Sequence, residues 1–430
     1  MSGLPGNWVV LPIGDLISLN PKIECSDELS AGFVPMQMVG KEYSSPIRFE
    51  TRPWGEIKKG YTHFSNGDVL LAKITPCFEN GKAGLVCGLP NGVGAGSTEY
   101  FVSRPHLDML NSRYLYAFLK TDKFLKAGAV QMTGSVGHKR VPKDYLLETE
   151  LPLAPLNEQK RIADKLDAVL ARVDACRDRL DRIPAILKRF RQSVLAAATS
   201  GKLTEDWRAT FKPSEWNTQP LADICLSITD GDHQAPPQAE TGIPFITISA
   251  INDGQLRLEK ASRFVPVAYF DALKESRRPQ RGDILFSVTG SIGIPAMVDT
   301  DSAFTFQRHI AILRPDHAKI SSSYLKFVLG AEGVQQQALA VATGTAQLTI
   351  PLTGLRSFRV EVPSTEEQTE IVHRIEALFA YADRLEARHT AARAQVEKLT
   401  PSTLSKAFRG ELVPQDPNDE PASKLLELIR

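Results

Sequence analysis

The sequence of 430 residues lacks the motifs that several kinds of site and activity require. The five cysteines form no C-x-x-C pair and no His-Cys cluster, which argues against a disulfide framework and a zinc site. The chain has no P-loop and no Asn-Pro-Pro-Tyr-type methyltransferase motif, and no apolar run approaches the length of a membrane span. The net charge of +1 excludes a globally basic polyanion binder. We therefore expect a cytoplasmic protein of two or three domains that binds no metal, cofactor or membrane itself.

What the sequence does have is an internal repeat at an offset of 209 residues. Glu158-Gln159 aligns with Glu367-Gln368, and Gly201 aligns with Gly410. Between residues 158–205 and 367–414 there are no gaps, and 13 of 48 positions are identical. Chance at average composition would give roughly three. The repeat is too long for a solenoid, so we interpret it as a whole domain followed by a helix, present twice.

The repeated segment has the hydrophobic period of a coiled coil. In the first copy the apolar spacing is four, three, four, three without a break, and the second copy keeps this register with more small and polar residues. The positions are Ile162, Leu166, Val169, Val173, Cys176, Leu180, Ile183, Leu187, Phe190 and Val194, then Ile371, Ile375, Leu378, Ala382, Leu385, His389, Ala392, Val396, Leu399 and Thr403. Two ordinary amphipathic helices in a globular core are the alternative.

The chain order is domain, helix, domain, helix, and this order favours an antiparallel helix pair. A parallel pair would crowd both domains at one end, whereas an antiparallel pair places them at opposite ends of a rod of about 57 Å, from about 38 helical residues. The expected fold class is α+β, with two mixed α/β domains, an antiparallel two-helix coiled coil and a pseudo-two-fold internal repeat. The predicted segments are domain 1 (1–156), helix 1 (157–206), domain 2 (207–363), helix 2 (364–414) and a C-terminal tail (415–430).

The two globular segments share landmarks. Trp8 corresponds to Trp216, the strand-like Gly67-Asp68 run to Gly282-Asp283, Arg104-Pro105 to Arg314-Pro315, Tyr114 to Tyr324, and Gly134-Ser135 to Gly344-Thr345. Short β-rich runs broken by Gly, Pro and Asn predict a mixed, highly curved sheet with one or two helices in each. The glycine-rich stretch 92–96 predicts a tight turn. Between landmarks the copies diverge, which suggests one scaffold acting on two different targets.

These segments resemble the specificity subunit of type I restriction-modification enzymes. The resemblance lies in I-L-K-R-F-R-Q-S-V-L (186–195), G-K-L-T-E-D-W-R (201–208), E-E-Q-T-E-I-V-H-R-I-E-A-L-F-A-Y-A-D (366–383), A-F-R-G-E-L (407–412), I-T-P-C-F-E-N-G-K (74–82) and G-S-T-E (96–99). It implies two target-recognition domains, each reading one half of a split site on double-stranded DNA across a spacer that the coiled coil sets. It also implies two modification subunits, which methylate adenine with S-adenosylmethionine, and two restriction subunits, which use ATP and Mg²⁺. The specificity subunit itself would be non-catalytic.

Four loops are the candidates for contacting DNA: loop A (residues 73–82), loop B (134–140), loop C (289–291) and loop D (344–347). They combine hydrogen-bonding side chains with Lys and Arg, which suit base edges and phosphates. A solvated turn is the alternative for any one residue. The predicted contacts are Lys73, Thr75, Asn80 and Lys82, Ser135, His138, Lys139 and Arg140, Thr289 and Ser291, Arg308 beside His309, and Thr345 and Gln347.

A basic segment of the first helix is the candidate partner interface. Lys188, Arg189, Phe190 and Arg191 would contact a partner subunit or phosphate, and a solvated basic face is the alternative. Two other functions stay open on the residues alone. One is a scaffolding coiled-coil protein with duplicated protein-binding domains, and the other is a self-sufficient enzyme with an unrecognised site. The target sequence is not encoded in any transferable way.

Overall fold

The computed structural model describes residues 3–106, 108–135, 137–231, 236–261, 263–345 and 347–428. Val136 in loop B and Ala346 in loop D lie outside the described residues. The chain divides into two compact units. Unit 1 consists of Met1–Asp181 and Thr390–Arg430, and unit 2 of Arg182–His389. Both divisions fall inside the long helices, so each unit contains part of each helix, and the five-segment division by sequence stays a prediction.

Unit 1 is built from short strands and short helices. Its strands are β1 (Val9–Pro12), β2 (Ile17–Leu19), β3 (Ser30–Val34), β4 (Glu50–Pro53), β5 (Thr62–Ser65), β6 (Val69–Ala72), β7 (Ala83–Leu85), β8 (Val93–Gly96), β9 (Tyr100–Pro105) and β10 (Glu150–Leu153). Its short helices are α1 (Trp54–Ile57), α2 (Ser112–Leu119), α3 (Asp122–Val130) and α4 (Lys143–Glu148). The strands form the sheets β1-β10, β2-β9-β6-β7 and β4-β3-β8-β5.

A long helix, α5 (Leu156–Thr199), follows unit 1's last strand, and a second long helix, α12 (Thr365–Ala407), follows the last strand of unit 2. Between them lie α6 (Glu205–Phe211), α7 (Leu221–Ile224), α8 (Val267–Asp271), α9 (Ser322–Gly330), α10 (Glu332–Val341) and α11 (Leu352–Arg356). The strands of unit 2 are β11 (Asn217–Pro220), β12 (Cys225–Asp230), β13 (Ile243–Ile246), β14 (Arg263–Val265), β15 (Ile284–Ser287), β16 (Pro295–Met297), β17 (Thr305–Phe306), β18 (Ile310–Pro315) and β19 (Arg359–Val362). They form the sheets β11-β19, β12-β18-β15-β16 and β14-β13-β17.

The sheets of the two units correspond, although the single curved sheet that the sequence suggested is wrong. Each unit has a two-stranded sheet, a four-stranded antiparallel sheet and a third sheet with one parallel pair, β3 with β8 or β13 with β17. The strands are only two to six residues long. The glycines at 92–96 also differ from the expected turn, because most of them lie in β8. A side chain at Gly94 or Gly96 would collide with the backbone carbonyls of Gly32 and Val34.

The long helices pair in an antiparallel sense in each unit, as expected. In unit 1, Arg161 near the start of α5 bonds Asp419 beyond the end of α12 at 2.5 Å, while Arg393 of α12 pairs with Asp181 of α5. In unit 2, Arg191 of α5 bonds Asp383 and Glu386 of α12 at 2.6 and 2.9 Å, while Thr204 beyond the end of α5 bonds Glu367 at the start of α12 at 2.7 Å. Gly201 and Gly410 end the two helices with φ of +74°, the left-handed conformation that glycine adopts without strain. Of the twenty predicted seam positions, eight are buried and ten are half-buried.

Two seam positions are exposed instead. Cys176 and Leu399 face solvent, and Arg177, the residue after Cys176, is the one that is half-buried, bonded to Glu42 and Asp174. A strict repeat of four and three drifts around a helix of 3.6 residues per turn, so a seam predicted over many turns can lose register locally.

The start of each long helix is fixed to the globular part of its own unit by the repeated Glu-Gln pair. The indole N–H of Trp8 donates to Glu158 at 3.0 Å, and that of Trp216 donates to Glu367 at 2.8 Å. Gln159 bonds the backbone at Asn111, Met109 and Ala154, and Gln368 bonds the backbone at Ser321, Lys319 and Pro363. All four Glu and Gln residues are fully buried, and burial raises the pKa of Glu158.

The other shared landmarks form a buried ion pair in each four-stranded sheet. Arg104 donates two bonds of 2.8 Å to Asp68, and Arg314 donates two bonds of 3.0 Å to Asp283. Both aspartates are buried and also accept a backbone N–H, from Ser65 or Gln280. The landmarks recur because each pair closes the turn before β6 or β15, which positions the loop that leaves the other end of that strand.

Candidate nucleic-acid interface

Loops A and B lie side by side in unit 1. Loop A follows β6, and loop B lies between α3 and α4. The backbone N–H of Thr75 donates to the carbonyl of Lys139 at 3.0 Å, and the N–H of Lys139 donates to the hydroxyl of Thr75 at 3.1 Å. The N–H of Val141 donates to Lys73 at 2.8 Å. The structure therefore brings together two segments that are about 60 residues apart in the sequence.

Loops C and D are joined in unit 2 by the same backbone bonds. The N–H of Gly290 donates to Leu348 at 2.9 Å, as Thr75 does to Lys139, and the N–H of Ile350 donates to Val288 at 2.8 Å, as Val141 does to Lys73. The match continues inside loops B and D, where Thr133 exchanges two bonds with Arg140 and Thr343 exchanges two with Thr349. The same correspondence holds just before β9 and β18, where the N–H of Lys73 donates to the carbonyl of Glu99 and that of Val288 donates to the carbonyl of His309, both at 2.9 Å.

We call this shared set of backbone bonds the loop frame. It places Lys73, Glu99 and Arg140 of unit 1 at the positions that Val288, His309 and Thr349 occupy in unit 2. The frame requires glycine at one point in each unit. Gly134 and Gly344 have φ of +126° and +101°, and a Cβ there would meet the backbone of His138 or Gln347.

The side chains on the unit 1 frame are charged and paired. Arg140 donates to the carboxylate of Glu99 through Nε at 2.9 Å and Nη2 at 2.7 Å. This bond holds the pKa of Glu99 below its ordinary value and raises that of Arg140. The ammonium of Lys73 lies 5.4 Å from the centre of the Phe101 ring, a cation–π distance. Arg140 and Lys73, two of the predicted DNA contacts, are therefore already oriented by other residues of unit 1.

The other predicted residues of unit 1 differ in exposure. Asn80, Ser135, His138 and Lys139 are exposed, and Thr75 is half-buried between the loops. Lys82 is not a free cation, because its ammonium donates to the carbonyl of Met36 at 3.1 Å and it lies where loop A returns to the sheet. The candidate surface of unit 1 is thus formed by the ends of loops A and B.

The unit 2 frame borders a cleft of about 540 Å³ with a different chemistry. Asp230, Arg308, His309, Gln347 and Thr349 are among the residues that line it. Burial and the charge of Arg308 lower the pKa of His309, which favours the neutral imidazole. Ser291, Arg308, Thr345 and Gln347 are exposed, as a contact surface requires. Thr289 also lines the cleft, but at 8% exposure its side chain is too buried to belong to the exposed contact surface.

The basic segment of α5 is only partly available. Lys188 and Arg189 are exposed, but Phe190 packs against the core of unit 2 and Arg191 is paired with two acids of α12. A partner could therefore reach Lys188 and Arg189, whereas the other two stabilise the helix pair.

Among the described residues no group of three His, Cys, Asp or Glu could hold a metal ion. The helices described here are also too short or too polar to cross a membrane.

Comparisons with known proteins identify the family. The family model for the type I restriction modification DNA specificity domain matches twice, at residues 5–185 and 213–393. The chain belongs to the type I restriction-modification specificity subunits. The two matches fall on the two copies of the repeat, so the family's domain is present once for each loop frame.

Individual relatives agree with this assignment. The Escherichia coli type I restriction enzyme EcoBI specificity subunit is 36% identical over 75% of this chain and 72% of its own length. The E. coli EcoAI specificity subunit is 38% identical, but the alignment spans 47% of this chain and about a third of that relative, 36%. A solved chain from a study of complex assembly and conformational transition of the type I R-M system matches with a TM-score of 0.73 at 20% identity, over 96% of this chain and all of that one. This last match supports the fold.

Glu99 and Thr349, two residues of the loop frames, are not among the contacts predicted from the sequence. Glu99 belongs to the family-like G-S-T-E stretch but received no role, and Thr349 was not singled out. Glu99 directly precedes β9, and an acid at a strand end beside a basic loop was the available signal. Thr349 gave no signal, because its position is defined by its pairing with Thr343 and Thr289.

Proposed function

We propose that this chain is the DNA-reading subunit of a type I restriction-modification complex, with each unit reading one half of a bipartite site on double-stranded DNA. The observation that supports this most directly is the repeated loop frame. It presents the same backbone with charged side chains in unit 1 and mainly neutral ones in unit 2. Since base edges are distinguished by the donors and acceptors that face them, two different side-chain sets on one frame suit two different half-sites.

The long helices are the proposed spacer. α5 and α12 contain 44 and 43 residues, about 65 Å of helix each. Two adenine-methyltransferase subunits would dock on the chain, with Lys188 and Arg189 as the accessible part of the predicted interface. Two restriction subunits would complete the nuclease. S-adenosylmethionine, ATP and Mg²⁺ belong to these partners, and the complex acts in the cytoplasm, where the DNA is.

Exchange of unit 2's globular segment tests the modular reading. Residues 216–363 would be replaced by the corresponding segment of another specificity subunit, and the variant would be expressed with its methyltransferase partner. Sequencing of methylated adenines should show one half-site changed, with the other half and the spacer length retained. A change in both halves would contradict independent reading.

The absence of catalysis has its own test. The purified chain would be incubated with labelled S-adenosylmethionine and target DNA, with and without the methyltransferase partner. We expect methyl transfer only when the partner is present. Methyl incorporation by the chain alone would favour the self-sufficient enzyme instead, and cleavage should need restriction subunits and ATP as well.

A further inference from the structure

The guanidinium of Arg140 is engaged along one edge and keeps donors on the other. Nε donates to both carboxylate oxygens of Glu99 at 2.9 and 3.2 Å, and Nη2 donates to Oε1 at 2.7 Å. Nη1 donates to the carbonyl of His138 at 3.3 Å. A guanidinium has five N–H groups in a rigid plane. Among the described residues no acceptor takes the second N–H of either terminal nitrogen, so each can donate one N–H to a ligand.

Both partners of this pair are fixed through their backbones. Arg140 exchanges two backbone bonds with Thr133, and the carbonyl of Glu99 accepts the N–H of Lys73. The side chain of Arg140 is 48% exposed and that of Glu99 is 24% exposed, so the arginine is presented and the acid lies behind it. A long side chain that is already ordered loses less conformational entropy on binding.

We propose that Arg140 reads a guanine in the half-site of unit 1 and that Glu99 is the positioning residue that orients it. Guanine presents two acceptors, O6 and N7, on its major-groove edge, which match two N–H donors of a planar guanidinium. Adenine presents one acceptor and one donor there and would oppose an N–H. The inference rests on the proposed function, and it assigns one base class to one unit.

Unit 2 lacks this device. Its loop frame carries Thr349 where unit 1 has Arg140 and His309 where unit 1 has Glu99. A hydroxyl and an imidazole cannot form the same buttressed fork. The guanine preference that depends on Arg140 should therefore appear only in the half-site of unit 1, which makes the other half an internal control.

The test begins with the wild-type chain and its methyltransferase partner, whose target is defined by sequencing methylated adenines. Binding is then measured on target duplexes in which each guanine of the unit 1 half-site is replaced in turn by adenine, 7-deazaguanine or inosine. One position should show a loss of about five- to 150-fold with adenine. 7-Deazaguanine, which lacks N7, should also weaken binding there. Inosine keeps O6 and N7 and should bind like guanine.

Four variants separate reading from charge and folding. Arg140→Ala should abolish the preference at that position. Arg140→Lys should reduce it while retaining the dependence on salt, since lysine keeps the charge and can still donate to O6 or N7 but has no planar fork for Glu99 to orient. Glu99→Gln should reduce the preference at the same base pair without weakening binding to other sequences. Lys139→Ala should weaken binding to all sequences and lower the salt slope by about 0.9, with the preference intact.

Glu411→Gln is the matched control for Glu99→Gln. Arg409 and Glu411 form a bidentate pair at 2.9 and 2.7 Å in the same unit but outside the loops, so its loss should leave base preference unchanged. A wild-type preference retained by Arg140→Ala at every guanine of that half would overturn the proposal. An equal loss of base preference in both half-sites of the Arg140→Ala variant would also overturn the proposal. A wild-type complex that selects no sequence would instead refute the proposed function, before any variant is made.

Discussion

Units 1 and 2 show how far two copies of a domain can diverge while the backbone stays the same. The loop frame, the Trp–Glu bond and the buried Arg–Asp pair recur with bond lengths that differ by 0.2 Å or less. The side chains that face outward from the frame do not recur. Buried hydrogen-bonded groups are costly to change because an unpaired partner remains, whereas an exposed loop residue can be replaced at little cost. Divergence therefore concentrates where the two units would meet different targets.

The loops around the frame also differ in length. In unit 1 the backbone bond from Ala72 to Lys82 closes loop A, and nine residues lie between these two. In unit 2 the corresponding bond runs from Ser287 to Ile294, and six residues lie between them. Loop B is longer than loop D by one residue, counted between the bonded threonines at 133 or 343 and Arg140 or Thr349. Unit 1 therefore has the longer and more charged candidate loops, and the corresponding loops of unit 2 border a cleft.

The largest expected effect comes from breaking the buried ion pair in each unit. Asp283→Ala should destabilise unit 2 by about 3 to 5 kcal/mol, because Arg314, 16% exposed, is left without its acid. Asp68→Ala should destabilise unit 1 by less, since Arg104 is 35% exposed and water can solvate it. Urea unfolding followed by hydrogen exchange in each unit measures both. Equal costs would show that burial of the arginine does not set the penalty.

A buried lysine should distinguish the pH dependence of the units. Lys120 donates to the carbonyls of Lys41 and Gly81, and burial lowers its pKa from 10.5 to about 8. The aligned residue in unit 2 is Gly330. Between pH 8 and 10.5 the unfolded chain holds this proton and the folded chain has released it, so the stability of unit 1 should rise with pH in that window.

Lys120→Met should remove this rise while leaving unit 2 unchanged. The measurement is the free energy of unfolding of unit 1 by hydrogen exchange at several pH values from 7 to 10.5, with pH-corrected intrinsic rates. A rise of the same size in the variant would mean that another group causes it.

A smaller and equal effect is expected at the caps of α2 and α9. The side chain of Asn111 accepts two backbone N–H groups, and that of Ser321 accepts one. In both, the backbone N–H of the cap residue donates to the buried glutamine, Gln159 or Gln368, at 2.8 Å. Asn111→Ala and Ser321→Ala should each cost about 1 kcal/mol. If the two losses of stability differ by more than twofold, the second backbone N–H that Asn111 accepts contributes to stability.

The smallest effect concerns single phosphate contacts. Lys139→Ala in unit 1 and Arg308→Ala in unit 2 should each lower the slope of log affinity against log salt by about 0.9, provided that each side chain contacts one phosphate. Titration of target DNA at several salt concentrations gives the slope. The triple variant of His138, Lys139 and Arg140 to alanine should lower it further, and an unchanged slope would remove loop B from the DNA surface.

The repeated architecture could be inferred from the amino-acid sequence alone. The 209-residue offset, the coiled-coil spacing and the paired landmarks such as Trp8 with Trp216 follow from buried contacts that constrain residue type, so they leave a periodic or duplicated signal. The candidate loops could be chosen for the same reason, since their glycines and polar residues mark where regular structure stops.

Which of the candidate side chains are available for contact could be seen only in the folded chain. The sequence places Thr289, Lys82 and Arg191 beside exposed residues, yet each is buried or paired because of a partner distant in the chain: the pairing with Thr349, the carbonyl of Met36 and the acids of α12. The folded chain also places Glu99 behind Arg140, two residues 41 positions apart. Such pairings depend on how strands and loops meet in space, and exposed loop positions carry no periodicity from which to infer them.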